Sequence, residues 1–250
     1  MTLCPDSGYD VMRFLTFTLC QGLEWVHEEV LTMIETITTA LHAPDPSMRL
    51  RAALAAGTDP DPRLVDELIA RCGVDPDFFV RDMLTWALTR LPAQVTVPRL
   101  VGELGSESPQ ARAQALHTLS KVGDRSAWPA ITGDLLHDDD AEVARAAWRA
   151  AVALVPAGRE TALAAELAGE LGRGGIDVQR SLSRALAELG EATRDALTTA
   201  RRHRNPRVRA HAEATARLLD DPDSDFGYEL ELAAKIANTG AAVQDSSPPC

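Results

Sequence analysis

The 250 residues are 45% hydrophobic but only 4% aromatic, enough for a core built largely from small side chains such as alanine. A formal net charge of −12 argues against general nucleic-acid binding, where cations that neutralise phosphates supply most of the affinity. Four scattered cysteines with no CxxC pair argue against a zinc site or a disulfide framework, and fit reduced thiols in a cytoplasm.

Residues 1–32 follow no repeat. They hold Tyr9, Phe14, Phe17 and Trp25, together with Cys4 and Cys20. The apolar run at 11–26 is interrupted or flanked by Asp10, Arg13 and Glu24, so it is too short and too polar to span a membrane. One basic residue and no small-x-small cleavage site make a poor signal peptide. Two readings stay open: a helix capping the first repeat, or an upstream extension with translation starting at Met33.

From residue 33 to residue 219 one pattern recurs. Taking Ala111 as an anchor, its counterparts are Met48, Val80, Val143, Val178 and Val208, with spacings of 32, 31, 32, 35 and 30 residues. A fixed period in this range marks a solenoid. Three residues before the anchors stand Asp45, Asp77, Ser108, Asp140, Gly175 and Asn205, five of which can accept a bond from a free N–H at a helix start. Pro46, Pro109 and Pro206 follow at the first helical position, where no N–H is needed. Apolar residues then fall at plus 4, 7, 8 and 11, as in Leu84/Ala87/Leu88/Leu91 and Leu182/Ala185/Leu186/Leu189. That spacing is one face of a helix. Gly123 and Gly190 predict helix ends at plus 12, and Gly57 predicts an earlier end in the first copy. Ahead of each helix lies another, with stripes Ile34/Ile37/Leu41, Leu64/Leu68, Val97/Leu100/Val101/Leu104, Ile131/Leu135, Leu163/Leu167/Leu171 and Ala196/Leu197. The pattern predicts an all-α solenoid of about six antiparallel helix pairs and no sheet.

Residues 220–250 change composition again. Seven acids face a single lysine, Lys235. Residues 228–237 predict a short helix, and 238–250, with Gly, Ser and Pro, predict disorder. The chain thus divides into a non-repeat extension at 1–32, the solenoid at 33–219, and an acidic, partly disordered tail at 220–250.

The stretches DPSMRLRAA at 45–53, SPQARAQAL at 108–116, DAEVARAA at 140–147 and NPRVRAHAEA at 205–214 resemble the HEAT repeat family, in particular the short HEAT-like repeats of phycobilisome lyases. The resemblance covers roughly three quarters of the chain. The whole chain is also similar to a group of HEAT-repeat proteins from high-GC actinobacteria. The resemblance implies a superhelix whose second helices line a concave surface. It leaves function open, because such arrays serve many tasks.

Several candidate sites compete with plainer readings. His137-Asp138-Asp139-Asp140 could suggest a metal, yet it lies in a turn and Asp140 is the repeat's own cap. Deoxyhypusine hydroxylase, a HEAT-repeat enzyme, holds two irons with several His-Glu dyads; this chain has one, His27-Glu28, outside the repeats, and His117 and His211 are not followed by Glu. Gly172-Arg173-Gly174-Gly175 follows no strand and precedes no Lys-Ser/Thr, so it is a helix-ending loop. HEAT-like DNA glycosylases use a basic, aromatic cleft that this acidic balance does not suit. Neither a metal nor a cofactor is expected. Arg49, Arg81, Arg112 and Arg209, one residue past their anchors, predict an Arg–Asp ladder with the cap acids.

Helical phase supplies the functional signal. Plus 2 and plus 6 face away from the core. Plus 6 is Leu54, Trp86, His117, Arg149, Arg184 and Ala214; plus 2 is Leu50, Asp82, Ala113, Arg145, Arg180 and Ala210. Trp86 and His117 beside Arg145, Arg149, Arg180 and Arg184 suit a protein partner or acidic peptide. The expectation is a non-enzymatic, cytoplasmic, monomeric scaffold or adaptor that binds neither nucleic acid nor membrane. The alternatives are a lyase- or hydroxylase-type enzyme or enzyme subunit, and an accessory protein of a transcription regulator.

Overall fold

The computed structural model describes residues 31–244. Among these residues there is no strand. Helix α1 runs through residues 31–41. It is followed by α2 (Pro46–Thr58), α3 (Val65–Val74), α4 (Phe78–Arg90), α5 (Ala93–Glu103), α6 (Pro109–Val122), α7 (Gly133–Leu136), α8 (Ala141–Leu154), α9 (Glu160–Ala168), α10 (Ile176–Glu188), α11 (Arg194–Ala200), α12 (Pro206–Asp220) and α13 (Phe226–Gln244). Short 3-10 turns precede α3, α7 and α11. The first six pairs form the repeats, and α13 follows them.

Helix starts are chemically local, and all six second helices begin where the caps require. The side chains of Asp45, Asp77, Ser108, Asp140 and Asn205 accept backbone N–H bonds at the starts of α2, α4, α6, α8 and α12. Gly175 caps α10 without a side chain. The even-numbered helices α2 to α12 then stack one on the next, each against its neighbour in sequence order. The leucines of the stripe are closed off between them: Leu84, Leu88, Leu116 and Leu186 are fully buried. Gly123 ends α6 in the left-handed conformation, φ 72°, which a Cβ would disfavour.

Four local expectations are corrected. Gly57 does not end α2; it lies inside the helix, and a Cβ there would sit 2.2 Å from the Trp86 ring. It is a contact glycine between repeats. Secondly, the helix expected around Ile131 and Leu135 is broken into a 3-10 turn, Arg125–Ala130, and the single turn of α7. Pro129 lies inside that turn, lacks an N–H and disfavours helix at the residue before it. Thirdly, the terminal helix does not stop near residue 237 but runs to Gln244. It packs along α12, burying Phe226 and Ala233. Ala210 and Ala214, expected to face outward, are buried, with α13 packed on their helix.

The arginine ladder exists with different acids. Arg49 donates to both carboxylate oxygens of Asp75, at 2.7 and 3.0 Å, and Arg112 donates to Asp138 at 2.9 Å. These acids stand five residues before their anchors, not three. Arg81 and Arg209 bond backbone carbonyls. The cap acids are already occupied by the amides at their own helix starts.

Candidate functional site

The outward faces of α4, α6 and α8 form a cleft of about 840 Å³. Of the six residues singled out by phase, His117, Arg145 and Arg149 line it. Trp86, Arg180 and Arg184 do not. The Trp86 ring lies against Gly57, one repeat away, and is still 37% exposed. Arg180 pairs loosely with Asp177 at 3.6 Å and sits beside the start of α13 at Gly227. The cations are therefore not one cluster.

Phase reasoning missed Phe78, Arg81 and Lys121, which also line the cleft. The signal for Phe78 was available: it occupies the first helical turn, where the other copies carry Pro, Ala or Ile. Asp82, Asp140, Glu142 and Glu188 line the cleft as well, so its charge is mixed and not simply basic. Glu142 pairs with Arg145 at 2.7 Å, and Asp140 is committed to capping α8. Neither Arg149 nor Lys121 forms an ion pair among the described residues. Burial, and then the neighbouring Arg145, lower the Arg149 pKa. Burial, and then Arg149 and Lys121, lower that of His117. The cleft thus holds two cations, Arg149 and Lys121, without an ion pair among the described residues.

A second polar constellation lies between α10 and α12. His211 and Ser183 are fully buried and 2.9 Å apart, a spacing that resembles a nucleophile and its base. The proton is on the wrong atom for that chemistry. The Gly172 N–H donates to His211 Nδ1 at 2.9 Å, so Nε2 carries the hydrogen and shares it between Gln179 O and Ser183 Oγ. Ser183 in turn donates to Thr215, whose hydroxyl donates to His211 O. A second, similar seam joins α4 to α6 through Thr85 and Thr118. Both are structural polar seams at repeat interfaces. Cys72 lies in the second one, and burial raises its thiol to about 11. His27 and Glu28 lie outside the described residues.

The cluster at His137 is a clasp between repeats. Its Nδ1 lies 2.6 Å from Glu170 and its Nε2 2.7 Å from Glu166. Arg173 bonds Glu170 and reaches back to the carbonyls of Asp138 and Asp139, while Arg112 holds Asp138. Among the described residues no group of three or more His, Cys, Asp or Glu side chains has metal-holding geometry.

The two histidines should give stability a pH optimum. Burial lowers His211 from 6.5 to about 4, so the unfolded chain takes up a proton more readily. Stability should fall as pH drops from 6.5 towards 4, by up to about 3 kcal/mol from this group. Hydrogen bonds donated to Glu170 and Glu166 raise His137 above 6.5. Its contribution is complete below 6.5 and is lost as pH rises through the raised value. Imidazole nitrogen NMR should show His211 neutral with hydrogen on Nε2 at pH 6, and His137 titrating above 6.5. A His211 that titrates near 6.5 would contradict the buried seam.

The fold and cleft define an α-solenoid whose second helices present a polar, open surface. Residues 75–153 match the family of HEAT repeats, so the chain carries HEAT-like repeats there. No curated protein is similar enough to match the chain. Among solved structures, the complex of CpcE and CpcF of phycocyanin lyase from Nostoc sp. PCC7120 is similar at 21% identity, covering 74% of this chain and 76% of that one, with a TM-score of 0.45. No helix among the described residues is long and apolar enough to cross a membrane.

Proposed function

We propose that this chain is a non-enzymatic scaffold that captures a segment of a partner protein in the cleft across α4, α6 and α8. The observation that supports this reading is the pair of cations, Arg149 and Lys121, that line the cleft without an ion pair among the described residues. A cation held near its own kind and partly desolvated is stabilised by an incoming carboxylate. No core packing calls for Arg149, because its backbone position faces away from the apolar stripe.

A photo-crosslinker replacing Ala113, inside the cleft, should capture a partner in native-cell lysate, and one replacing Thr199, on α11, should not. Arg149→Glu should leave the melting curve unchanged and abolish capture. Arg184→Glu serves as the control, being exposed on α10 but outside the cleft. Equal capture by the two reversals would mean that binding lies elsewhere.

A further inference from the structure

We propose that the cleft recognises an extended peptide segment carrying one apolar anchor, seated on Phe78 and Phe79, and one carboxylate, seated at Arg149. This rests on the cleft reading and names its ligand chemistry.

Two adjacent phenylalanines open α4 in a chain that is 4% aromatic. The corresponding positions of the other repeats are Pro46/Ser47, Pro109/Gln110, Ala141/Glu142, Ile176/Asp177 and Pro206/Arg207. Those residues serve the helix start, whereas the two phenylalanines serve neither the start nor the core. Asp77 already caps α4, and Phe78 and Phe79 stay 64% and 70% exposed. They hold each other edge to face at 5.6 Å, and the Arg81 guanidinium lies 6.0 Å from the Phe78 ring centre. The two rings thus restrain each other, which lowers the entropy cost of using them.

Ile176 shows what such a position does when another helix approaches it: it is 43% exposed, against 64% for Phe78. It occupies the same place in the fifth repeat, and the start of α13 approaches it at Gly227. Phe78 instead opens onto the cleft that contains His117, Lys121 and Arg149. An apolar rim and an uncompensated cation thus share one surface.

Charge balance decides how acidic the segment is. Arg81, Lys121, Arg145 and Arg149 line the cleft together with Asp82, Asp140, Glu142 and Glu188. A run of acids would meet these carboxylates, and the paired Arg145 is not free to answer it. One carboxylate, placed at Arg149, is the match.

The test is selection of a phage-displayed random 12-residue peptide library against the full chain. Enriched peptides should share an aromatic or large aliphatic residue and a single Asp or Glu. Their affinity, read by fluorescence polarisation, should fall about tenfold or more in Phe78→Ala/Phe79→Ala and in Arg149→Glu. Exchanging the peptide acid for lysine should restore binding to Arg149→Glu. Loss at Arg149→Glu without loss at the phenylalanines would overturn the anchor and leave the cleft reading standing. Peptides indifferent to both variants, or no enrichment, would overturn the inference and the cleft reading together.

Discussion

Asp75→Ala should destabilise the protein by about 3–5 kcal/mol, the cost of leaving a buried charge without its partner. Asp75 is fully buried between α3 and α4. Its carboxylate accepts from Arg49 Nε, Arg71 Nε and the Asp77 amide, while its carbonyl accepts from Arg81 and Gln110. One residue thereby joins the first three repeats. Burial alone would raise its pKa, but the bonds from Arg49, the Asp77 amide and Arg71 outweigh it and the net shift is downward. Removing the carboxylate strands Arg49, itself only 5% exposed. Asp75→Asn keeps the shape and the backbone carbonyl, so it should lose less. Asp66→Ala breaks a pair at 3.5 Å whose side chains are both more than half exposed, and should change stability by about 0.5 kcal/mol or less. Urea midpoints of the three variants decide the matter. Equal midpoints for Asp75→Ala and Asp66→Ala would show that the hub is dispensable.

Trp148→Ala should cost about 3–5 kcal/mol by the same measurement, for a different reason. Among the described residues Trp148 is the largest fully buried side chain, on α8 beside the broken first helix of its repeat. Its indole Nε1 donates to Leu136 O at 2.9 Å, satisfying the carbonyl at the end of α7. Alanine would leave both a cavity and an orphaned acceptor. Trp148→Phe restores most of the volume and none of the bond, so it should fall between, with a loss of about 1–3 kcal/mol. A Phe variant as unstable as the Ala variant would mean that the bond outweighs the volume.

Much of the fold was legible because it depends on local chemistry. A side-chain oxygen before a helix, a proline in its first turn and an apolar stripe at helical spacing need no knowledge of the rest of the chain. Hence the six second-helix starts and the buried leucines could be placed from periodicity alone. The broken α7 was legible too, in Pro129, but the apolar spacing of Ile131 and Leu135 hid it. The cleft was half legible. Phase put His117, Arg145 and Arg149 on an outward face, and all three line it.

The sequence by itself determined the repeat, its register, its caps and which face of each helix turns away from the core, since each follows from bonds and sterics within a few residues. Tertiary structure alone decided which outward residues share a surface. Trp86 is drawn onto Gly57 because a missing Cβ one repeat away leaves room for its ring. α13 packs along α12, so Ala210 and Ala214 are buried, and Arg180 ends beside the start of α13 outside the cleft. Arg49 chooses Asp75 over the cap acid Asp77 two residues on, since the Asp77 carboxylate is bonded to the amides of Phe79 and Val80. These choices depend on distances between residues on different helices, 12 to 47 positions apart in the cases of Arg217–Glu229 and Arg180–Gly227, which spacing along a chain does not encode.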